Sequence, residues 1–381
     1  MTAKGKQARI LHLHSTFNAG GKELRCVRLM NAFGAQFQHT IVSAEPEALG
    51  AARHISKNVV VSYPRNFPSL QGWPTPSRLS RIARAMQGFD LILTYNWGAM
   101  DAVMAHTLFS RPYRLAPLIH HEDGFNQDEA ERLKPSRNWY RRIALGCCSA
   151  LIVPSEPLER IAREDWVQPA QRIHRIANGL PVAAYARRPR PDSLPGLIKR
   201  KGEYWLGTLA GLRAVKNLPR LVRAFAPLPE EWQLVIAGEG PEEQAIRAEA
   251  MRLGVAHRVH LPGFVADPAK VAGLFDLFAL SSDSEQFPLS VVEAMAAGLA
   301  VAAPAVGDVA RIVAEPNRPF VTPPGDEALL ARSLAQLAAN EGLRAEIGAA
   351  NRDKAREQFD EAAMIGRYRA LYEQALALDR P

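Results

Sequence analysis

At 381 residues the chain exceeds the roughly 250–300 residues at which one core stops growing, so two domains are expected, and no stretch reaches the roughly 18–20 apolar residues of a spanning helix. Its 47% hydrophobic and 23% charged residues are ordinary for a globular protein, and three cysteines without CxxC spacing argue against a disulfide framework or a zinc site. The net charge of +8 is uneven: residues 1–190 carry 26 Lys/Arg against 14 Asp/Glu (+12) and the rest 21 against 25 (−4), so the first half is suited to an acidic partner.

In chain order, Met1–Arg9 is basic, but Ile10–Leu13 is too short for a signal-peptide core, and a cytoplasmic location is expected, with peripheral membrane contact left open. Arg9–His14 reads as a strand that runs through Asn18-Ala-Gly-Gly21 into a helix with Leu24, Val27, Leu29, Met30 and Phe33 apolar. Cys26 lies in that helical stretch, and Cys147 and Cys148 lie in the apolar run Ile143–Val153, where small buried hydrophobes are expected. Strand, glycine turn, helix is the first unit of a doubly wound α/β domain. Buried strands follow at Thr40–Ser43, Val59–Ser62, Asp90–Thr94, Arg114–His120 and Ala150–Pro154, with helical stretches between most of them. Residues 183–203, with Arg187-Arg-Pro-Arg-Pro191 and Leu194-Pro-Gly196, have the composition of a linker. A second series then has strands at Tyr204–Leu209, Trp232–Ala237, Arg258–Leu261, Leu277–Ser281 and Ala300–Ala303, and helices at 217–227, 241–254, 268–274 and 289–298. Pro324–Leu378 reads as helical almost throughout.

The expected organisation is an N-terminal Rossmann-like domain (1–182), the linker (183–203), a C-terminal Rossmann-like domain (204–358) and a terminal helix (359–381) that packs back on the first domain. Two such domains should face each other across a cleft, with ligands at the C-terminal edges of the strands.

The strongest local pattern is Ser281-Ser-Asp-Ser-Glu285-Gln-Phe-Pro-Leu-Ser-Val-Val-Glu293-Ala-Met-Ala-Ala-Gly298. A strand ends near Ser282, a loop presents Glu285, and a helix starts near Leu289, with Glu293 on an apolar helix. A carboxylate there needs partners, and a sugar or ribose diol can supply two hydrogen bonds. The helix N-terminus offers free N–H groups to a diphosphate. An isolated pair at this spacing would more simply be a capping arrangement.

This pattern resembles the E-x7-E signature of family 4 retaining glycosyltransferases, which have the two-Rossmann-domain GT-B fold. The resemblance covers nearly the whole chain. It implies that Glu285 contacts the donor sugar, that Glu293 holds the ribose diol, and that Phe287 and Leu289 lie beside the diphosphate. Gln286 stands where the family usually has Gly. The Asn18-Ala-Gly20-Gly21 loop looks like the family's phosphate-approaching glycine loop, and Arg175-Ile-Ala-Asn-Gly179 resembles a turn near the domain border. Gly238-Glu-Gly-Pro241 and Gly263-Phe264-Val265 sit where the family has glycine and base-binding loops. In Gly211-Leu-Arg213-Ala-Val-Lys216, Lys216 matches the diphosphate-clamping lysine, while Gly211 occupies the usual arginine position; either Arg213 replaces that arginine or Lys216 works with less help.

Ile119-His120-His121-Glu122-Asp123-Gly124 is too tightly spaced for metal convergence. It resembles the family's His-x-Glu-His-Gly, with Asp123 in place of the second His, which makes His120, or else His121, the residue expected at the anomeric centre.

The resemblance implies transfer with retention from a UDP- or GDP-sugar to a glycan or lipid-linked acceptor of the cell-envelope or exopolysaccharide type, with no metal or other cofactor. Glu131–Leu145 mixes Arg with Trp and Tyr, which suits contact with an anionic membrane as well as it suits a snorkelling surface helix. The alternatives are a nucleotide- or nucleic-acid-binding protein using the basic half, a GT-B epimerase and a phosphorylase. The absence of aromatic RNA-binding motifs, zinc spacing or a helix-turn-helix speaks against nucleic acid, and no pyridoxal lysine motif is seen for a phosphorylase.

Overall fold

The computed structural model describes residues 7–125, 129 and 133–378. It divides into two units, Met1–Ala177 with Met364–Pro381, and Asn178–Ala363. Met1–Lys6 of the basic N-terminus, Glu131 and Arg132 of the Arg/Trp segment, and residues 379–381 lie outside the described residues.

The first unit is built on β1 (Ala8–His14), β2 (Phe37–Ser43), β3 (Val60–Ser62), β4 (Leu91–Tyr95), β5 (Leu118–His121), β6 (Ala150–Val153) and β7 (Ile173–Arg175), all parallel, in the order β3-β2-β1-β4-β5-β6-β7. Its helices are α1 (Gly21–Phe33), α2 (Pro76–Ala85), α3 (Met100–Tyr113), α4 (Pro135–Ala144) and α5 (Glu156–Glu164). Both faces of the sheet are covered, as an all-parallel sheet requires. Successive β1 residues serve opposite cores: Leu11 and Leu13 pack with Leu79, Ile82 and Val103, while Ile10 packs with Val27 and Met30.

The second unit has β8 (Tyr204–Leu209), β9 (Trp232–Ala237), β10 (Val259–Gly263), β11 (Leu277–Ala279), β12 (Val301–Pro304) and β13 (Val321–Thr322), again parallel, in the order β10-β9-β8-β11-β12-β13. Around it lie α6 (Leu218–Phe225), α7 (Glu243–Arg252), α8 (Leu289–Ala296), the short α9 (Val309–Ile312), α10 (Glu327–Ala339) and α11 (Glu341–Gln358). The helical tail is thus three helices. Asp326 and Asn340 cap α10 and α11, each accepting a backbone N–H at 2.9 Å, and the last helix is α12 (Glu361–Leu378). Its Met364, Tyr368 and Tyr372 belong to the first unit's core, on the Ile10 face of the sheet.

Two expectations need correction. The segment 268–274 is not an α-helix but two separate 3₁₀ turns, Pro268–Lys270 and Ala272–Leu274; Val271 between them leaves helical geometry at φ −131°. The strand expected at Arg114–His120 starts only at Leu118, because α3 runs on to Tyr113 and Arg114 closes it in the left-handed conformation. No helix among the described residues is long and apolar enough to cross a membrane.

One close approach fixes α11 on α8. A Cβ on Gly348 would lie 2.0 Å from the carbonyl oxygen of Gly298, just past the end of α8, and backbone cannot yield there. Gly348→Ala is therefore expected to destabilise the second unit by about 1–3 kcal/mol. A urea transition with an unchanged midpoint would contradict this.

Candidate functional site

In the second unit the strand order reverses between β8 and β11, and in an open parallel sheet a ligand crevice forms at the C-terminal side of such a switch point. The loops leaving these two strands are tied together. Asp283 N–H donates to the Val215 carbonyl at 2.8 Å, and the Ser281 hydroxyl donates to the Lys216 carbonyl at 2.8 Å. Asn217 and Arg220 both hold the Asp283 carboxylate, at 3.1 Å and 2.7 Å. Asn217 takes left-handed geometry (φ 43°), which turns the chain from the Ala214–Lys216 3₁₀ turn into α6.

This frame brings Lys216 and Glu285 together. The ammonium donates to Glu285 Oε1, and the same oxygen accepts from the Ser282 hydroxyl at 2.7 Å. Both side chains keep a small exposed fraction, 15% and 12%. Arg213 is exposed, and a Cβ built on Gly211 would sit 3.7 Å from its Nε. The guanidinium thus lies beside the very position where the family resemblance leads one to expect an arginine.

Downstream, α8 starts at Leu289 with no side-chain cap, so its first backbone N–H groups are without a capping side chain. Glu293 lies half-buried on this helix between buried Val292 and Ala294. Phe287 is half-buried and meets the edge of Phe359 at 5.7 Å. Across β9 and β10, Glu239 accepts from Phe264 N–H at 3.2 Å, and Leu212 N–H donates to the Glu239 carbonyl at 2.9 Å. The loops after β8, β9 and β10 therefore form one rim, on which the Phe264 ring is 62% exposed and Val265 is half-buried. An apolar ring left this open on a rigid rim is suited to stacking with a planar ligand.

Gly307 is a further residue of the site that local sequence pattern does not mark. It has φ +54°, and a Cβ there would lie 2.5 Å from the Gln286 carbonyl and 2.6 Å from that of Glu285. The loop after β12 thereby braces the Glu285 loop, with Asp308 N–H donating to the Gln286 carbonyl at 3.1 Å. Only a positive-φ glycine in a Gly-Asp turn could have flagged it.

The first unit has its own switch point, between β1 and β4. Gly20 is the uncapped N-cap of α1, and Gly21 is exposed with open space around it. After β4, Asn96 adopts φ 54°, a conformation uncommon for a non-glycine residue, and its Oδ1 accepts from Asp123 N–H at 2.8 Å. Asp123 in turn takes both guanidinium nitrogens of Arg25, one of them at 2.8 Å. Burial opposes ionisation of Asp123, but Arg25 outweighs it and holds the carboxyl below its ordinary value. This pair spans 98 residues and was not foreseen.

His120 is fully buried, with Nδ1 on the Thr94 hydroxyl at 2.8 Å and Nε2 3.7 Å from Glu122, itself fully buried. As placed it meets Thr94 and Glu122 rather than the surface, so a role in orienting the acceptor or stabilising the transition state would run through those neighbours. His121 is also buried, bonded to the Thr94 carbonyl and to the Tyr372 hydroxyl; burial and then Arg25 push its pKa down to about 3, so it is neutral.

Residues 19–184 match the family described as Glycosyltransferase Family 4, and residues 190–354 match Glycosyl transferases group 1. The chain is similar to N-acetyl-alpha-D-glucosaminyl L-malate synthase of Bacillus anthracis, 26% identical over 57% of each chain, little more than half of that protein's length. It is 23% identical to the lipopolysaccharide core biosynthesis glycosyltransferase LpsD of Rhizobium meliloti, over 97% of this chain and 99% of that one. Among solved structures, Anabaena HepE in complex with UDP superposes with a TM-score of 0.77 at 22% identity, covering 96% of this chain and all of HepE. HepE has also been solved with UDP-glucose. With both units matched by adjoining family regions and both built on parallel Rossmann-like sheets, the chain belongs to the family 4 glycosyltransferases of the GT-B fold.

Proposed function

We propose that this protein is a retaining, metal-independent hexosyltransferase that uses a nucleotide-diphosphate sugar, with UDP favoured over GDP, and delivers the sugar to a glycan or lipid-linked acceptor of the cell envelope. The observation that carries this reading is the Lys216–Glu285 pair, held at a switch point beside an α-helix whose N-terminus has no side-chain cap. In the proposal, Lys216, Arg213 and the N–H groups at Leu289 neutralise the departing diphosphate. Glu285 binds sugar hydroxyls, Glu293 the ribose diol, and Phe264 and Val265 the base. Phe287 lines the diphosphate and sugar. The Gly20-Gly21 turn at the start of α1 offers backbone N–H groups to an anion. His120 serves as a positioning residue through Thr94 and Glu122.

The likeness to a fold solved with UDP and with UDP-glucose favours UDP, and the LpsD relative supports a cell-envelope acceptor. The departing phosphate accepts the acceptor's proton as the new glycosidic bond forms on the face that the leaving group vacates, so no dedicated base is needed. A cation already in place, Lys216, serves where a divalent ion would otherwise neutralise the leaving group.

Nucleotide release from a panel of UDP- and GDP-sugars, with EDTA present and crude glycolipid as acceptor, tests the reading. Release that resists EDTA and is lost in Glu293→Ala is expected. Calorimetry with UDP and GDP separates a missing acceptor from a wrong function, since binding of neither nucleotide overturns it.

Peripheral membrane contact is part of the same proposal. On α4, Trp139 and Ile143 are 61% and 53% exposed, four residues apart on one face, and Arg142 stacks over the Trp139 ring at 5.1 Å. Co-sedimentation with anionic but not zwitterionic vesicles is expected, and weakened by Trp139→Ser/Ile143→Ser. Equal sedimentation with both would refute the contact.

A further inference from the structure

His12 and His14 are two residues apart on β1, so both project from the α1 face of the sheet. Cys26 on α1 comes down onto them. One ligand atom from each of the three lies within 4.8 Å of the others, and all three residues are at most 3% exposed. His12 Nδ1 is 3.4 Å from Cys26 Sγ and 3.1 Å from the Tyr95 hydroxyl, which is itself 3.5 Å from that sulfur.

A hydrogen-bonded cluster explains His12, Cys26 and Tyr95. It does not explain His14. That imidazole is fully buried, stacked on Tyr95 at 4.0 Å, and neither ring nitrogen has a hydrogen-bond partner among the described residues. Leaving a buried polar ring unsatisfied costs about 1–3 kcal/mol, and a strand interior that carries both His12 and His14 could have used leucine at either place. His12, by contrast, is oriented from behind: its Nε2 is 2.9 Å from His39 Nδ1, the arrangement that fixes the tautomer of a ligating histidine.

We infer that His12, His14 and Cys26 form a structural site for a borderline transition-metal ion of the Zn²⁺ type, with the Tyr95 hydroxyl at the fourth position. Two imidazoles and a thiolate are a nitrogen and sulfur set that suits zinc and excludes calcium or magnesium, which require oxygen. Binding converts the Cys26 thiol to a thiolate, with the proton leaving to solvent as the metal–sulfur bond forms. The cysteine count argues against zinc only while the cysteines are counted alone; the strand period supplies the histidines. The site belongs to the first unit's core and takes no part in the donor chemistry proposed above, so either can fail without the other. Its burial keeps a bound ion through brief EDTA treatment.

Elemental analysis of the full chain purified without chelator, and Co²⁺ titration of protein stripped by a strong chelator under mild denaturation and refolded, test the site. About one zinc per chain is expected, with a thiolate-to-cobalt charge-transfer band that develops to the same stoichiometry. Cys26→Ser should abolish the band, and His14→Ala and His39→Ala should each lower metal affinity at least about tenfold. His54→Ala, an exposed control, should leave the band unchanged. If a variant fails to fold, the wild-type measurements decide alone. Substoichiometric zinc together with no charge-transfer band in wild type overturns the proposal and leaves a hydrogen-bonded cluster.

Discussion

Replacing Lys216 by alanine is expected to lower kcat/KM for the sugar donor by about 10²–10³ while the fold survives. Lys216 is 15% exposed and contacts Glu285 on an otherwise rigid loop frame, so its removal opens no core cavity. In the proposed reaction the departing diphosphate would lose this charge, so the effect should fall on kcat more than on KM. Glu285→Gln should be nearly as damaging, for a second reason. The two groups neutralise each other, and the Ser282 hydroxyl shares the carboxylate at 2.7 Å. In the proposed reaction, donor binding would divide the pair, sending the cation to phosphate and the carboxylate to sugar hydroxyls. Each single variant removes one partner and strands the other, so the double variant should lose much less than the product of the singles. Arg213→Ala should cost less than Lys216→Ala, because an exposed guanidinium is better screened. Steady-state kinetics on the donor identified by nucleotide release checks all four. A Lys216→Ala enzyme within threefold of wild type would reduce the pair to a structural contact.

Most of the framework was legible because parallel sheets write buried strands as continuous apolar runs. Leu91–Tyr95 and Ala150–Val153 are buried at every position, and such runs stand out among amphipathic helices. The order of alternation then left few topologies open, and both sheets have the doubly wound order. Short elements were less visible. Two-residue β13 has no pattern to read, and residues 268–274 carried helical composition without the length to sustain a helix between Pro268 and Gly273.

At the site, residues on one loop were legible and partners across loops were not. Glu285 and Lys216 could each be named, but their contact across 69 positions could not. The same holds for Arg25 with Asp123 and for the Gly307 brace, which depend on the register of strands far apart in sequence. His120 sits on a strand buried at every position, and its partner Thr94 lies on the adjacent strand, a pairing that local sequence does not reveal.

Arg141→Met is expected to destabilise the first unit by about 3–5 kcal/mol. Arg141 has no exposed side-chain surface, and its Nε meets buried Glu122 at 3.2 Å while Nη1 and Nη2 meet Glu129 at 3.3 Å. Its guanidinium carbon also lies about 5 Å from the rings of Trp97, Phe125 and Trp166. Methionine would fill much of the volume, so the cost is electrostatic, arising from two carboxylates left in a nonpolar setting, Glu129 with Arg137 and the Lys134 N–H and Glu122 beside His120. Burial alone would raise the Glu129 pKa, but the hydrogen bonds from Arg141 and Arg137 more than offset it and hold it below the ordinary value. Because that folded-state value is depressed, the stabilisation is present above the unfolded glutamate pKa and is lost as pH falls through the folded one. The wild-type advantage over Arg141→Met should accordingly shrink on acidification and persist at neutral pH. Arg142→Met, one residue on and solvent-facing, should change stability by less than about 0.5 kcal/mol. Adding Glu122→Gln and Glu129→Gln to Arg141→Met should recover part of the loss, because the stranded charges are then gone. Urea unfolding followed by tryptophan fluorescence near Trp97 and Trp166 reads the series. If Arg141→Met and Arg142→Met have equal midpoints, the buried cluster contributes nothing to the fold, and its only remaining use would be to hold Glu122 against His120.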